Sequence, residues 1–296
     1  MENDLIYIVV LAWNHKEDTR EALTSFLNSN YSNYRIVVVD NGSTDGTDSM
    51  VAYEFPSVEL ISVEKNLGVS GGYNLGIEHA ISQNAKYIMI SNNDVVVDSN
   101  MILCLLEAIK KDPYAGIAMP KIYHYYGNRK RIWCSGAYFR KFPPTVKMRD
   151  FNRIDNGQIN SSLIEFAPSC VLLLKVDLIR KIGTFDTNFY FYFDDWDFSR
   201  RARDNNFKIL FVAEAVVWHK VSTSTQKTEK PAVWWERMGW SAALYYSKYH
   251  TNLQRQLFYI WFFVREVLKG NLSHSLSFYK GVKDYSAHCK TVRKNN

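Results

Sequence analysis

Tyr87-Ile-Met-Ile-Ser-Asn-Asn-Asp94 decides how this chain is read. A short apolar run of strand character ends abruptly in two amides and a carboxylate. Such a run, without alternation, suits a strand buried on both faces, and that arises in a parallel sheet covered by helices on each side. The flanking sequence repeats the pattern. Ile6–Leu11 runs into Ala12-Trp13-Asn14, and Arg35–Asp40 runs into Asn41-Gly42-Ser43-Thr44. Val58–Val63 and Ala115–Met119 are further strand segments. Helical spacing lies between them at Glu17–Leu27, Asp45–Tyr53, Tyr73–Ser82 and from Asp98 to Lys110, with Thr44 and Asp98 expected as caps. The alternation predicts an α/β fold with a Rossmann-like, mostly parallel central sheet and helices on both faces.

Beyond Pro120 the rhythm breaks into short aromatic and basic pieces up to Ser162, which predicts loops and antiparallel strands. Leu163–Leu174 is strand-like, Val176–Ile182 and Asp197–Asp204 are helical, and Lys208–Val212 and Ala215–Trp218 are strands. After Pro231 the pattern is wholly helical through Trp234–Tyr249 and Leu253–Lys269, with Gly270 as a stop. A chain of 296 residues with 47% hydrophobic and 22% charged residues has room for one large core plus an appendage.

Charge is uneven. The net charge is +6, and from Lys248 onward only Glu266 and Asp284 offset a long series of Lys and Arg. A basic, aromatic tail suits an anionic membrane surface, while nucleic acid is not expected as a partner. Cys104, Cys134, Cys170 and Cys289 form no paired motif, so reduced thiols in a cytoplasmic setting are expected. The longest apolar run, Leu257–Val264, is far short of the roughly 20 residues that span a bilayer. No signal peptide is expected from Met1-Glu2-Asn3-Asp4 and the short run that follows.

Ligands of open α/β sheets bind at the carboxyl ends of the strands. The polar residues that follow the strands here therefore form one expected site. The loop Asn66-Leu-Gly-Val-Ser-Gly-Gly-Tyr-Asn-Leu-Gly76 is neither a Walker motif nor a GxGxxG run, so its glycines are expected to admit a ligand at a helix N-terminus. Asn92-Asn93-Asp94 offers oxygens suited to a hard cation that completes its shell with substrate phosphates. Tyr190-Phe-Tyr-Phe-Asp194-Asp195-Trp196-Asp197 puts three carboxylates behind an aromatic run. Helix-start acids explain Asp197, and an aromatic pocket raises a carboxylate toward the range of a general base. His219 follows an apolar strand, where a lone histidine is more often structural, yet its distance from the acidic motif also lets it return to a metal.

Taken in order, these landmarks resemble a family 2 glycosyltransferase of the GT-A fold over about residues 5–225. They are Val39-Asp40-Asn-Gly-Ser-Thr-Asp45-Gly, Asn66-Leu-Gly with Asn74-Leu-Gly, Asn92-Asn-Asp94, Gly183-Thr-Phe-Asp186, Asp194-Asp-Trp-Asp197 and Trp218-His219. The pattern is most similar to the rhamnosyl- and galactofuranosyltransferase branch that builds bacterial cell-surface polysaccharides. The resemblance implies a catalytic domain over 1–225, with a nucleotide-sugar half to about 120 and an acceptor half to 225, followed by a helical extension over 226–296. It implies donor binding by Ala12, Asn14, Asp40, Asn66, Gly72, Asn92 and Asn93. Asp94, with His219, is implied as the ligand of Mn²⁺ or Mg²⁺, although Asn92 stands where the family's metal motif often has its first Asp. Asp195 is implied as the catalytic base, with Asp194 and Trp196 on the acceptor side. Arg200 and Arg201 depart from the usual single Arg.

The implied reaction is an inverting, metal-dependent sugar transfer from a dTDP-rhamnose or UDP-hexose type donor to a saccharide or lipid-linked saccharide. The rivals are a nucleotidyltransferase and a non-catalytic sugar-binding protein of the same fold. The first lacks its basic Gly-rich signature near Ala12-Trp13-Asn14-His15, and Asp94, Asp195 and His219 argue against the second. Leu257, Ile260, Trp261, Val264 and Leu268 form a helical stripe that Phe258, Phe262 and Phe263 widen. Such a helix seeks burial in its own domain, in a homodimer, or at the inner face of the plasma membrane.

Overall fold

The sheet follows from the sequence rhythm. Apolar strands β1 (Ile6–Ala12), β2 (Tyr34–Asp40), β3 (Glu59–Ser62) and β4 (Tyr87–Asn92) pair in parallel in the order β3-β2-β1-β4. The computed structural model describes residues 4–189, 192–221 and 231–295. Register sets the carboxyl ends level: Ala12 lies opposite Asp40, Asp40 opposite Ser62, and Leu11 opposite Asn92. Because β2 and β3 extend to one side of β1 and β4 to the other, the strand order reverses at β1. Such a reversal is where ligands of open α/β sheets bind, at the carboxyl ends of the strands.

Past β4 the sheet is mixed. Short β5 (Val95–Val97) is followed by the long β6 (Ala115–His124), β7 (Ile132–Cys134), a separate β8–β9 hairpin (Ala137–Phe139, Val146–Met148) and β10 (Ser162–Ile164). Strand β11 (Val171–Lys175) lies antiparallel between β4 and β6, and β12 (Lys208–His219) runs parallel to β6. Val171 faces Ser91, so the residues just before β11 arrive at the same edge as the end of β4. β5 pairs antiparallel with the end of β12, with His219 opposite Val95.

Two strand expectations need correction. Leu163–Leu174 is not one strand: residues 165–170 separate β10 from β11, where Pro168 has no amide to give a ladder. Conversely, Lys208–Val212 and Ala215–Trp218 are one strand, β12, with a register slip against β6 between Val212 and Val216.

Helices α1 (Lys16–Leu27), α2 (Thr47–Glu54), α3 (Gly68–Ser82), α4 (Met101–Lys111), α5 (Val176–Ile182) and α6 (Asp194–Asp204) complete the α/β part. The cap of α2 is Gly46 rather than Thr44, and the Asp45 carboxylate accepts from the Thr47 amide at 3.1 Å. The cap of α4 is Asn100 rather than Asp98, whose carboxylate instead accepts from the Asn100 amide at 2.9 Å. α6 starts three residues before the expected Asp197, because all three aspartates sit in its first turn.

The glycine stretch is helical from Gly68 rather than from Tyr73. A Cβ at Gly76 would lie 2.2 Å from Val9 Cγ1, so the glycine lets α3 press onto β1.

The C-terminal segment forms α7 (Pro231–Tyr249), α8 (Asn252–Leu268) and α9 (Leu272–Asn295). A capping box of Thr251 and Gln254 starts α8. Their aromatic residues, among them Tyr245, Tyr246, Phe258, Phe262 and Phe278, make a second core with Phe189 and Phe193 from beside the acidic motif. The Tyr246 hydroxyl donates to the Pro144 carbonyl. One face of the extension is therefore buried against the α/β part. The expected domain boundary near 225 lies outside the described residues, and among those described no helix is long and apolar enough to cross a membrane.

Candidate active site

The loops after β1 and β2 are laced together. The Asn14 amide N–H donates to Ser43 Oγ at 2.8 Å, and Asn14 Oδ1 accepts from the Thr44 amide at 2.9 Å. Asn14 and His15 both hold left-handed backbone, at φ 58° and 59°, a cost that persists where surrounding bonds enforce it. Asn93 supports this loop from below: its Nδ2 donates to the Asn14 carbonyl at 3.0 Å and to Thr19 Oγ1 at 2.9 Å.

Within this frame Ala12 is fully buried and Asp40 almost so. Asp40 Oδ2 accepts from the Ser43 amide at 3.3 Å, whereas Oδ1 is buried with no hydrogen-bond partner. Burial pushes the Asp40 carboxyl upward, against the pull of Ser43. A buried acceptor without a donor is costly alone and suits a ligand that brings an N–H.

Other expected donor residues hold protein partners. Asn66 Oδ1 accepts from the Gly68 amide at 2.8 Å and from Asn41 Nδ2 at 3.1 Å. Gly72 faces the sheet, where a Cβ would lie 2.3 Å from Leu11 Cδ1, so its lack of a side chain lets α3 pack against β1.

Asn92 Oδ1 accepts from the Tyr73 hydroxyl at 2.7 Å. The same hydroxyl lies 3.0 Å from the Ser169 carbonyl, in the segment leading to β11. Tyr73 is fully buried and joins the end of β4 to the approach of β11. Burial first, then Cys170 and the carboxyls of Asp194, Asp94 and Asp195, push its phenol well above the usual range.

Asp94 and His219 meet, with Oδ1 3.0 Å from Nε2. β5 against β12 brings them together from 125 positions apart, and the Lys220 amide donates to the Asp94 carbonyl at 2.9 Å. Trp133 stands edge-on to the imidazole at 4.8 Å between centroids. Burial opposes a charged His219, but Cys170 and Asp94 outweigh it and raise its pKa well above the ordinary value.

Among the described residues no group of three or more His, Cys, Asp or Glu is placed to hold a metal alone. One carboxylate and one imidazole still fit Mg²⁺ or Mn²⁺, which take few protein ligands and fill the rest with phosphate oxygens and water.

The third part is the start of α6. Tyr192 and Phe193 enter it in left-handed backbone, at φ 60° and 66°. Asp194 is buried, with Oδ2 lacking a hydrogen-bond partner. Burial, opposed by the amides of residues 194 and 195 and aided by Asp197, pushes its carboxyl up to about 6. Asp195 keeps partial access to solvent within a largely enclosed pocket. That enclosure, then Asp194, raise its carboxyl well above the usual range, while the Trp196 and Ser169 amides pull it down. Trp196 packs among Phe139, Phe166, Phe193 and Tyr245, with Phe193 nearest at 4.6 Å. Tyr190 and Phe191 of the aromatic run, and Ser222–Ser224 after the histidine, lie outside the described residues.

Sequence reasoning missed Tyr73, the Ser169–Cys170 segment, and Lys248 and Tyr249. The last two cross from α7 to Asp197: Lys248 Nζ lies 2.9 Å and the Tyr249 hydroxyl 2.7 Å from its Oδ1. Tyr73 carries a signal in retrospect, since a large polar ring beside two helical glycines needs a buried partner for its hydroxyl.

With this geometry in hand, likeness to known proteins is informative. The chain is 23% identical over 237 residues to a poly-β-1,6-N-acetyl-D-glucosamine synthase of Staphylococcus epidermidis, covering 79% of this chain and 54% of the synthase. It thus spans about half the length of that relative. It is 22% identical to an N-acetylglucosaminyl-diphospho-decaprenol L-rhamnosyltransferase of Mycobacterium tuberculosis, over 75% of this chain and 78% of that protein.

Among solved structures, a mannosyltransferase of Pyrobaculum calidifontis in complex with GDP-Man and Mn²⁺ superposes with a TM-score of 0.56 at 15% identity, covering 98% of this chain and 79% of that one. GalNAc-T7 with UDP, GalNAc and Mn²⁺ gives 0.64 at 15% identity, covering 83% and 50%. These likenesses show the GT-A fold, a mostly parallel central sheet with helices, joined here by C-terminal helices. The family profile described as Glycosyl transferase family 2 matches residues 7–183, more than half of the sequence, and the chain belongs to that family.

Proposed function

We propose that the chain is an inverting glycosyltransferase that moves a sugar from a nucleotide-sugar to a saccharide or lipid-linked saccharide in cell-surface polysaccharide synthesis. The carrying observation is the bridge made by the Tyr73 hydroxyl, which joins Asn92, two residues before the Asp94 that meets His219 at 3.0 Å, to Ser169, whose amide bonds the Asp195 carboxylate. The rhamnosyltransferase and synthase relatives support a donor of dTDP-rhamnose or UDP-hexose type.

In this reading Asp40 accepts from the nucleobase, and Ala12 and Asn14 line that pocket. Asp94 and His219 would hold Mn²⁺ or Mg²⁺, and the ion would supply positive charge to offset that of a diphosphate leaving group. Asp195 takes the proton of the acceptor hydroxyl as its oxygen forms the new bond to the anomeric carbon. The bond from that carbon to the diphosphate breaks on the opposite face, so one displacement inverts the centre. Proton removal by a placed carboxylate contributes about 10²–10⁴-fold. Asp194 and Trp196 border the acceptor.

A lipid-linked acceptor gives the exposed side of the extension a role. Leu253, Ile260, Val264, Val267 and Leu268 of α8 and Leu272 and Leu276 of α9 remain exposed beside Lys269. An apolar row next to basic residues suits the inner face of the plasma membrane.

The test of the metal assignment is calorimetry of nucleotide-sugars with and without Mn²⁺ on wild type and Asp94→Ala. A panel of UDP-, dTDP- and GDP-sugars identifies the donor first. Mn²⁺ is expected to tighten donor binding in wild type and to lose that effect in the variant. Equal tightening in both would remove Asp94 from the metal site.

A further inference from the structure

The extension reaches the catalytic helix through a charged network that the reaction as written does not use. Asp197 is fully buried and shares the first turn of α6 with the acidic pair. Its Oδ2 accepts from Arg201 Nε at 2.7 Å, and its Oδ1 from Lys248 Nζ at 2.9 Å and the Tyr249 hydroxyl at 2.7 Å. Lys248 also lies 2.7 Å from Asp186 Oδ2, and Asp186 follows Gly183-Thr-Phe in a segment tied to α3. That tie is a double bond pair: the Phe185 amide donates to Asn74 Oδ1 at 2.9 Å, and Asn74 Nδ2 donates to the Phe185 carbonyl at 2.8 Å. One ammonium thus joins α7, α6 and the 183–186 loop.

A buried carboxylate keeps its charge only when cations and donors compensate it. Two cations and a phenol do so here. Asp186 is held below the usual range, because burial is outweighed by Lys248 and the Asn188 amide.

We propose that Lys248 is a positioning residue for the Asp194–Asp195 pair, carried by the C-terminal helices. The ammonium fixes Asp197, hence the first turn of α6, and adds positive potential beside the pair. The extension is on this view part of the catalytic machinery. The proposal rests on the reading of Asp195 as base.

Burial raises both carboxyls of the pair first, and Asp197 on the same helix adds to it at Asp194 and Asp194 at Asp195. Tyr73 from α3, Tyr192 from the preceding loop and Cys134 from β7 face the pair as neutral groups that its charge keeps protonated. Arg201, Lys248, Tyr249 and, through Lys248, Asp186 face Asp197. Removing one cation leaves net negative potential near the pair, which raises carboxylate affinity for protons. The acid limb of the rate profile then moves to higher pH.

The test uses the full chain with Lys248→Gln, which removes the charge and keeps a donor, and Lys248→Arg, which keeps the charge. Lys248→Gln is expected to shift the acid limb of kcat/KM upward by roughly half a pH unit and to lower kcat more than it changes the donor KM. Lys248→Arg is expected to return the limb toward wild type.

If Lys248→Gln lowers Tm but leaves the limb in place, the residue only docks the extension and the proposal is overturned. An upward limb shift of equal size in Lys248→Arg overturns it too, since charge then has no part. Asp195→Asn run in parallel separates the two readings. If that variant keeps transferring sugar, the base assignment has failed. If it is inactive while Lys248→Gln has a wild-type profile, only the present inference has failed.

Discussion

Tyr73→Phe deletes one oxygen from a fully buried ring and touches nothing else. The hydroxyl sits 2.7 Å from Asn92 Oδ1 and 3.0 Å from the Ser169 carbonyl, so its loss leaves two acceptors short of one shared proton. Leaving buried acceptors unsatisfied costs about 1–3 kcal/mol. For a chain of this size that lowers Tm by roughly 2–5 °C.

The functional consequence should be larger than the stability loss. Asn92 stands two residues before Asp94, and the Ser169 amide bonds the Asp195 carboxylate. The phenol is therefore the brace between the two halves of the site, and its raised pKa keeps it protonated at working pH. Misplacement by about 1 Å costs on the order of 10²-fold, so kcat should fall at least about tenfold at 25 °C, where the variant is still folded. Thermal unfolding and sugar transfer measured on one preparation make the comparison. A variant that loses the expected stability yet transfers at the wild-type rate would refute the brace.

Asp194→Asn should make the protein more stable at pH 8 and less active. A carboxyl raised to about 6 contributes its stability below the unfolded value near 4 and loses it as pH rises through 6, so the gain from Asn should vanish by about pH 4. Thermal melts at pH 4, 6 and 8 check the sign, and a variant less stable than wild type at pH 8 would contradict it. Ile260→Glu with Val264→Glu, both on exposed positions of α8, should abolish flotation with anionic vesicles while leaving Tm within about 1 °C. Unchanged flotation would move the membrane contact elsewhere, and a change of mass in solution would identify a dimer face instead.

Much of the fold was legible because strand and helix periods are local properties. Continuous apolar runs at Ile6–Leu11, Arg35–Asp40 and Tyr87–Ser91 could hardly be anything but buried strands, and the register then sets their ends level. The polar residues after them fell on one edge for the same reason. What was not legible depends on pairing between distant segments. Nothing local shows that β11 runs antiparallel into the middle of the sheet, bringing Ser169 and Cys170 to the site. That Gly72 packs against Leu11 of β1 was likewise not legible, because glycine's lack of a side chain does not say what approaches it. Lys248 looked like one more cation in a basic tail, and only the folding of α7 onto α6 gives it two aspartates.

The direct test of the whole account is Asp195→Asn in the full chain, with donor binding by calorimetry and transfer by product formation. Transfer should fall by about 10²–10⁴-fold while the donor Kd stays within about twofold of wild type. A variant that keeps more than half the wild-type rate, or one that loses donor binding together with transfer, would contradict the role given to Asp195.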